Sequence, residues 1–529
     1  MMSDISSDTR GPFLPARTRS PVANVPGQHP DSERYLPRWS QAGSAWWPSW
    51  PLQRLVRLRE DGRAGRRALR LARIAANRIF AVEHCEMPLL HLADLARREL
   101  RSGAHPGATF LDSLALASIA AQRTLGLRAH LAQMTAAVLA LQDRAAELGC
   151  GEGKTLALAL AAAVRALGGT PVHLVIRDDA LAQESAGRMR PFFEALGLSV
   201  AAVSRRCDPA ARREAYQADV CYVTAHELMF DFLRDRHGGE PIGYRQPELA
   251  SVLVDDIDAV LIDDAATPCV LLQADQALQT TAQQFFNRYP RLGGVSATLA
   301  EARSELTAVY GLGVTPIPSI YPCFRRNLGL VVTPGAAALR RAMVARVREL
   351  VASRRPVLVA TKGEAACRAL VDALRDEGID AAAISGADQV DWRTVRDAAG
   401  TRGRVTVCAD PRGRCDAIVL DPMARAAGGL AVIATYLGAT RRADRQLEHL
   451  TGRQGQPGTV ETIAQFTGPG VFACLPAPLM RSLARAIRYL GEKRAESLRN
   501  RRARRLWELR RAETATTARP AAHLQHEGR

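Results

Sequence analysis

The chain has 529 residues, enough for about three domains at roughly 150 residues each. Hydrophobic residues make up 47% of it, ample for buried cores, and the formal net charge is +17. That charge predicts attraction to an anionic surface, either nucleic acid or acidic lipid. The ten cysteines form no Cys-x-x-Cys pair, which argues against a disulfide framework or a cysteine metal site. No N-terminal charged-then-apolar signal pattern occurs, and no run reaches the ~18 apolar residues of a spanning helix. The expected location is therefore the cytoplasm, with peripheral contact to the cytoplasmic membrane.

Residues 1–50 are rich in Pro, Ser, Arg and Trp and read as a disordered arm. Trp39, Trp46, Trp47 and Trp50 suit a bilayer interface or a partner groove, or else packing on the protein's own surface. Residues 51–135 read as a helical N-terminal region. It has a basic stretch from Pro51 to about Arg101 and a second helical block from Phe110 to Leu139. Gln133 precedes Lys154 by about twenty residues. A side-chain amide there can both donate and accept, as an adenine edge requires, although an ordinary helix residue is the plainer reading.

The first motor lobe is expected over 136–330. It opens on Gly151-Glu152-Gly153-Lys154-Thr155, a Gly-rich turn leading into an Ala/Leu helix. Such a turn offers backbone N–H groups and a helix dipole to phosphate, with Lys for the outer phosphates and Thr for Mg²⁺. The full P-loop pattern has Gly where Leu148 stands. Strand-length apolar runs follow at Pro171–Ile176, Val200–Val203 and Val220–Val223, with a helix beginning near Ala180. Then Ser251-Val-Leu-Val-Asp255-Asp256 gives an apolar strand ending in paired acids. The first acid suits Mg²⁺ and the second suits the attacking water. Ser296-Ala297-Thr298 matches a coupling motif of superfamily-two motors.

A second lobe, 331–470, is expected from Pro356–Thr361 onward. It has a helix from Glu364 to Glu377 and strands at Ala381–Ile384, Val405–Cys408, Ala417–Leu420 and Gly429–Ala434. Arg441-Arg442-Ala-Asp444-Arg445-Gln446 and Gly452-Arg453-Gln454-Gly455 follow. The fold class is α/β: two tandem RecA-like helicase-motor lobes, each a parallel sheet flanked by helices, with helical N- and C-terminal extensions. ATP would lie between the lobes, and the second lobe would supply an arginine finger. Residues 471–513 read as a basic helix, open to a lipid or nucleic-acid surface or laid on the motor as a scaffold. A disordered tail, 514–529, is expected after it.

Together these motifs resemble SecA, the ATPase motor of bacterial protein export. Ala146-Glu-Leu-Gly-Cys-Gly-Glu-Gly-Lys-Thr155 is similar to the family's P-loop, which also lacks the first Gly. The segment from Arg213 through Tyr222, Thr224 and Glu227 to Asp235 is the most specific match, and Leu253 to Pro268 follows the family's second motif. The resemblance implies that Gln133 reads adenine, that Gly151, Glu152, Gly153, Lys154 and Thr155 cradle phosphate, and that Asp255 and Thr155 hold Mg²⁺. It also implies Asp416 and Arg414 facing the nucleotide from the second lobe, with Asp256, Arg453 and Arg414 as catalytic groups.

The departures point the other way. The family's catalytic Glu is Asp256 here, an expected arginine is Leu450, Glu448 reverses a charge, and the Arg expected at Ala266 is missing. Only about ten residues, Leu272 to Thr281, stand where the family inserts its preprotein-binding domain, and the wing and C-terminal metal-binding regions have no counterpart. The favoured expectation is an ATP- and Mg²⁺-binding export motor with weakened hydrolysis. Its partners would be a protein-export channel or secretion component and an anionic membrane. The alternative is a catalytically impaired nucleotide-binding regulator or adaptor of a secretion system. A nucleic-acid motor is disfavoured by the family-specific Tyr222–Asp235 segment.

Overall fold

A computed structural model describes residues 51–517, apart from 86, 104–105, 237–248, 266, 274–275, 386–391, 410–414, 416–417 and 466–476. The Trp-rich arm and most of the expected tail lie outside the described residues.

Four helices lead: α1 (Pro51–Glu83), α2 (Leu89–Ser102), α3 (Pro106–Leu125) and α4 (Leu131–Leu141). The helical block expected from Phe110 to Leu139 is thus two helices. Gly126 adopts a left-handed φ of 66° that ends α3, and the chain re-enters helix only after His130. Residues 111–121 of α3 are buried all round; their side chains are apolar or small except Asp112, which is paired with Arg78 of α1 at 2.7 Å. α4 runs across the expected 135/136 boundary, because α1–α4 share one apolar core with the first sheet.

The first sheet is parallel throughout, in the order β3-β4-β2-β5-β8-β1-β9. Its strands are β1 (Ala145–Glu147), β2 (Val172–Ile176), β3 (Val200–Ala202), β4 (Val220–Thr224), β5 (Ser251–Asp255), β8 (Arg291–Ser296) and β9 (Val314–Pro316). β2 and β4 are buried along their whole length, as strands of a parallel sheet are when helices cover both faces. One face carries α1–α4 with α5 (Lys154–Leu167) and α6 (Asp179–Glu194). The other carries α7 (Pro209–Tyr216), α8 (Ala225–Arg236), α9 (Ala282–Phe286) and α10 (Arg303–Tyr310). β8 escaped the sequence reading because it is glycine-rich. Gly293 is required there, since a Cβ would lie 2.4 Å from the Ala140 carbonyl oxygen. The short segment Leu272 to Thr281 lies in an antiparallel hairpin, β6 (Pro268–Gln273) and β7 (Gln276–Thr281).

The second sheet is also parallel, ordered β10-β15-β14-β11-β13-β12. It comprises β10 (Arg325–Thr333), β11 (Val357–Ala360), β12 (Ala381–Ile384), β13 (Val405–Cys408), β14 (Leu430–Ala434) and β15 (Gly458–Gln465). The expected boundary at 330/331 falls inside β10, whose pairing with β15 places Arg325 onward in the second lobe. The strand expected at Ala417–Leu420 is absent among its described residues. Val419 is exposed and its carbonyl passes over Gly400, where a Cβ would meet it at 1.8 Å. Around this sheet lie α11 (Ala336–Ala352), α12 (Glu364–Asp376), α13 (Trp392–Ala398), α14 (Pro422–Ala426) and α15 (Arg441–Glu448).

α16 (Ala477–Thr517) extends past the expected 513/514 limit and lies on both lobes. Arg488 pairs with Asp444 of α15, while Arg499 donates to both oxygens of Glu305 in α10 at 2.8 and 3.1 Å. Its outward residues include Ile487, Leu490, Arg494 and Leu498, all exposed. The inner face lies on the motor as the scaffold reading expects, and the outer face is basic and apolar.

Candidate functional site

Three motifs meet because β1, β8 and β5 are neighbours and their carboxyl ends share one edge of the sheet. In open α/β sheets that edge is where ligands bind. The P-loop leaves β1, Asp255 ends β5, and Ser296-Ala297-Thr298 ends β8. Gly151 and Gly153 hold left-handed φ of 78° and 81°, and Gly153 caps α5. Side chains are excluded there by crowding as well as by φ, since a Cβ on Gly153 would fall 2.1 Å from Gln133 Nε2. Gln133 belongs to α4; its Nε2 donates to the Glu152 carbonyl at 2.9 Å, and its Oε1 accepts from the His130 N–H at 2.8 Å. The amide is thereby oriented against the P-loop, with one N–H and one lone pair still able to meet a base edge.

Lys154 and Asp256 form an ion pair, so the loop's cation is held by the second acid of the pair. Asp256 has φ of 45°, a left-handed conformation for a non-glycine, and its N–H donates to Asp255 Oδ1 at 3.0 Å. Asp is among the few non-glycine residues that tolerate this region, and here it turns the chain at the end of a buried strand. Beside it, buried Asp258 accepts from Thr298 Oγ1 at 2.6 Å and from Arg442 Nη1 at 2.8 Å. Burial alone would raise the Asp258 carboxyl. The Arg442 guanidinium and the Ser296 and Thr298 hydroxyls outweigh it and hold the group below its ordinary value.

The second lobe reaches the site through α15 and the turn after it. Arg442 pairs with Asp258 and Asp263, and Arg445 with Glu301 at 2.7 Å and Glu147 at 3.0 Å. These two arginines are three apart on one helix, which puts both on the face turned to the first lobe. Arg453 Nη2 donates to Cys150 Sγ at 3.0 Å, and Gln454 Nε2 to the Gly151 carbonyl at 3.2 Å. His449 lies among Arg325, Arg445, Lys154 and Arg453. Burial, reinforced by those cations, pushes its imidazole down to about 3, so it is neutral. Leu450 is 4% exposed in the apolar core of the second lobe, and Glu448 accepts from Asn327 at 2.9 Å within its own lobe. Neither therefore points to the cleft as a missing finger would. Arg414 and Asp416 lie outside the described residues.

Sequence reasoning singled out Lys154, Asp255, Asp256, Gln133 and Arg453 for this place. It missed the lobe-bridging roles of Arg442, Arg445 and Gln454, for which the i, i+3 arginine spacing was the available signal. It also read the Tyr222–Asp235 segment only as a family mark. There, Arg212 donates to Glu227 at 2.8 Å and Asp231 at 2.6 Å, and Tyr216 Oη to Asp231 at 2.9 Å, a buried brace that joins α7 to α8.

A SecA DEAD-like domain model matches residues 70–280. Protein translocase subunit SecA 2 of Nitrosospira multiformis is 28% identical over 487 residues, covering 65% of this chain and 73% of that one. Protein translocase subunit SecA 2 of Bordetella avium is 29% identical over 541 residues, covering 73% and 81%. The chain is a divergent SecA-like protein. Among solved structures, S. cerevisiae Dbp5 bound to RNA and ADP BeF3 is similar at 13% identity with a TM-score of 0.47, over 72% of this chain and 96% of that one. The helicase MrfA bound to DNA and AMPPNP gives 11% and 0.49, over 68% and 51%.

The residues of this SecA-like chain fit a magnesium nucleotide. Two left-handed glycines bare the loop's backbone, Lys154 enters the helix behind them, and Asp255 stands on the strand two places away in the sheet.

Proposed function

We propose that the chain binds Mg-ATP between its lobes and is a SecA-like translocase motor tied to protein export, with hydrolysis slower than in an intact family motor. The observation that supports this most is convergence: one loop, 150–154, is touched by Gln133, by Asp256 and by Arg453 and Gln454 of the other lobe. In this reading Gln133 reads adenine and Gly151, Glu152, Gly153 and Lys154 cradle phosphate. Thr155 and Asp255 hold Mg²⁺, Asp256 orients water, Arg453 and Arg414 face the outer phosphate, and Asp416 meets the nucleotide. Bound ATP supplies the phosphoanhydride, and the chain's part is positioning and charge stabilisation.

The proposed partners are an export channel or secretion component and the anionic face of the cytoplasmic membrane, approached from the cytoplasm. Among the described residues no helix is long and apolar enough to cross a membrane, in keeping with peripheral attachment. A second reading, a nucleotide-binding regulator or adaptor, is favoured by Leu450, which is buried where a finger is expected.

Titration with a fluorescent ADP analogue and a steady-state ATPase assay test both. Lys154→Ala removes a charge-assisted contact worth about 2 kcal/mol and should weaken binding more than tenfold. Equal affinity of the two proteins would remove the nucleotide reading. Binding without turnover would select the regulator. Stimulation of turnover by RNA rather than by anionic vesicles would select a nucleic-acid motor.

A further inference from the structure

The segment 317–324 joins β9, the edge of the first sheet, to β10, the edge of the second, so any change in lobe angle acts on it. Two of its residues are tied to one P-loop side chain. Ser319 Oγ donates to Glu152 Oε1, and the Ile320 N–H donates to the same oxygen at 3.1 Å. Glu152 stands between the two left-handed glycines and is 5% exposed. Its carboxylate folds back over Gly149, where a Cβ would lie 2.8 Å from Glu152 Cδ. Its second oxygen, Oε2, is buried with no hydrogen-bond partner among the described residues.

A buried carboxylate with one oxygen unpaired is held weakly for its charge. It sits in the same loop whose backbone N–H groups suit phosphate, so a phosphate arriving there repels it at short range and in low dielectric. Its holders are linker atoms, and coupling between two such events is reciprocal. We propose that Glu152 is a positioning residue that clasps the interlobe linker to the P-loop and releases it when a nucleotide phosphate enters the loop. This rests on the nucleotide reading above and adds to it the route by which occupancy reaches the hinge.

Hydrogen–deuterium exchange on the full chain, with and without MgADP, tests it through two peptides, 148–156 and 317–324. The P-loop peptide should slow with MgADP, while in the linker peptide the Ile320 amide should exchange about tenfold faster as it loses its acceptor. Glu152→Ala should leave the linker fast from the start and deaf to MgADP. Glu152→Gln keeps an oxygen for both donors without the charge, so its linker should stay slow in both conditions. Ser319→Ala, outside the P-loop, should speed the linker part-way and leave P-loop protection by MgADP in place. A wild-type linker that stays slow while the P-loop is protected overturns the clasp and leaves nucleotide binding standing. Absence of P-loop protection overturns both. If Glu152→Ala fails to fold, the other two decide: a Ser319→Ala linker as slow as wild type, or a Glu152→Gln linker that responds as wild type does, also overturns the proposal.

Discussion

At the scale of single residues, two departures from the family pattern have different physical meanings. Asp256 points at the loop, so lengthening it acts directly there, against the cost of a longer side chain at φ 45°. Ångström-scale misplacement of a catalytic group costs ~100-fold, and Asp256→Glu should raise a measurable turnover by up to that order. An unchanged rate would place the deficit elsewhere. Leu450 is buried among Leu358, Leu430 and Val460 and cannot be treated the same way. Leu450→Arg should bury an unpaired charge and lower stability by about 3–5 kcal/mol, seen as a fall in the urea midpoint, with no gain in turnover. An arginine tolerated there would mean that the side chain can swing into the cleft. His173 gives a pH signature. It is buried against Tyr289 and burial pushes its imidazole down to about 4, below its unfolded value, so the unfolded chain takes up the proton first. Its contribution is complete above about pH 6.5 and is lost as pH falls toward 4, at up to about 1.4 kcal/mol per pH unit. His173→Gln should flatten the midpoint between pH 6.5 and 5. A slope equal to wild type would assign the acid sensitivity to other groups.

Among the elements, the brace between α7 and α8 makes the sharpest claim. Asp231 is fully buried and depends on Arg212, Tyr216 and Arg234. Arg212→Met leaves it charged and short of a partner, at a cost of about 3–5 kcal/mol by denaturant melting, while a loss under 1 kcal/mol would show that the site rehydrates. This brace also shows how far a sequence can be read. Tyr222 and Thr224 announced a buried strand by composition, but what Glu227 and Asp231 touch depends on an arginine fifteen and nineteen positions away. The same limit governs the site. Lys154, Asp255 and Gln133 were legible because local spacing defines them. Arg442, Arg445 and Gln454 were not, since their partners Asp258, Glu147 and Gly151 lie in the other lobe and only docking brings them within reach. Strands with alternation or long apolar runs were found almost to the residue, as at Ala381–Ile384 and Val405–Cys408. The glycine-rich β8 and the arginine-rich start of β10 were missed, because neighbouring strands rather than composition hold them in the sheet.

For the molecule as a whole, net charge and the outer face of α16 act together. With +17 formal charges, and Ile487, Leu490 and Leu498 exposed beside Arg494, the chain should float with acidic vesicles at low salt and be released at high salt. Each basic residue near the surface contributes about 1 kcal/mol before screening. Failure to float at low salt would mean that these charges are simply hydrated. The placement of α16 carries one more consequence. The helix has 41 residues and is about 60 Å long at 1.5 Å per residue. Among the described residues its last tie to the lobes is Arg499 to Glu305, and about 27 Å of helix runs on beyond it to Thr517. Anchored to one lobe by Arg488 and to the other by Arg499, it is a lever with a short arm inside and a long arm outside. Each degree of tilt at the lobes moves its far end by about half an ångström. A hinge motion too small to open the cleft would still sweep a row of arginines across whatever lies beside it.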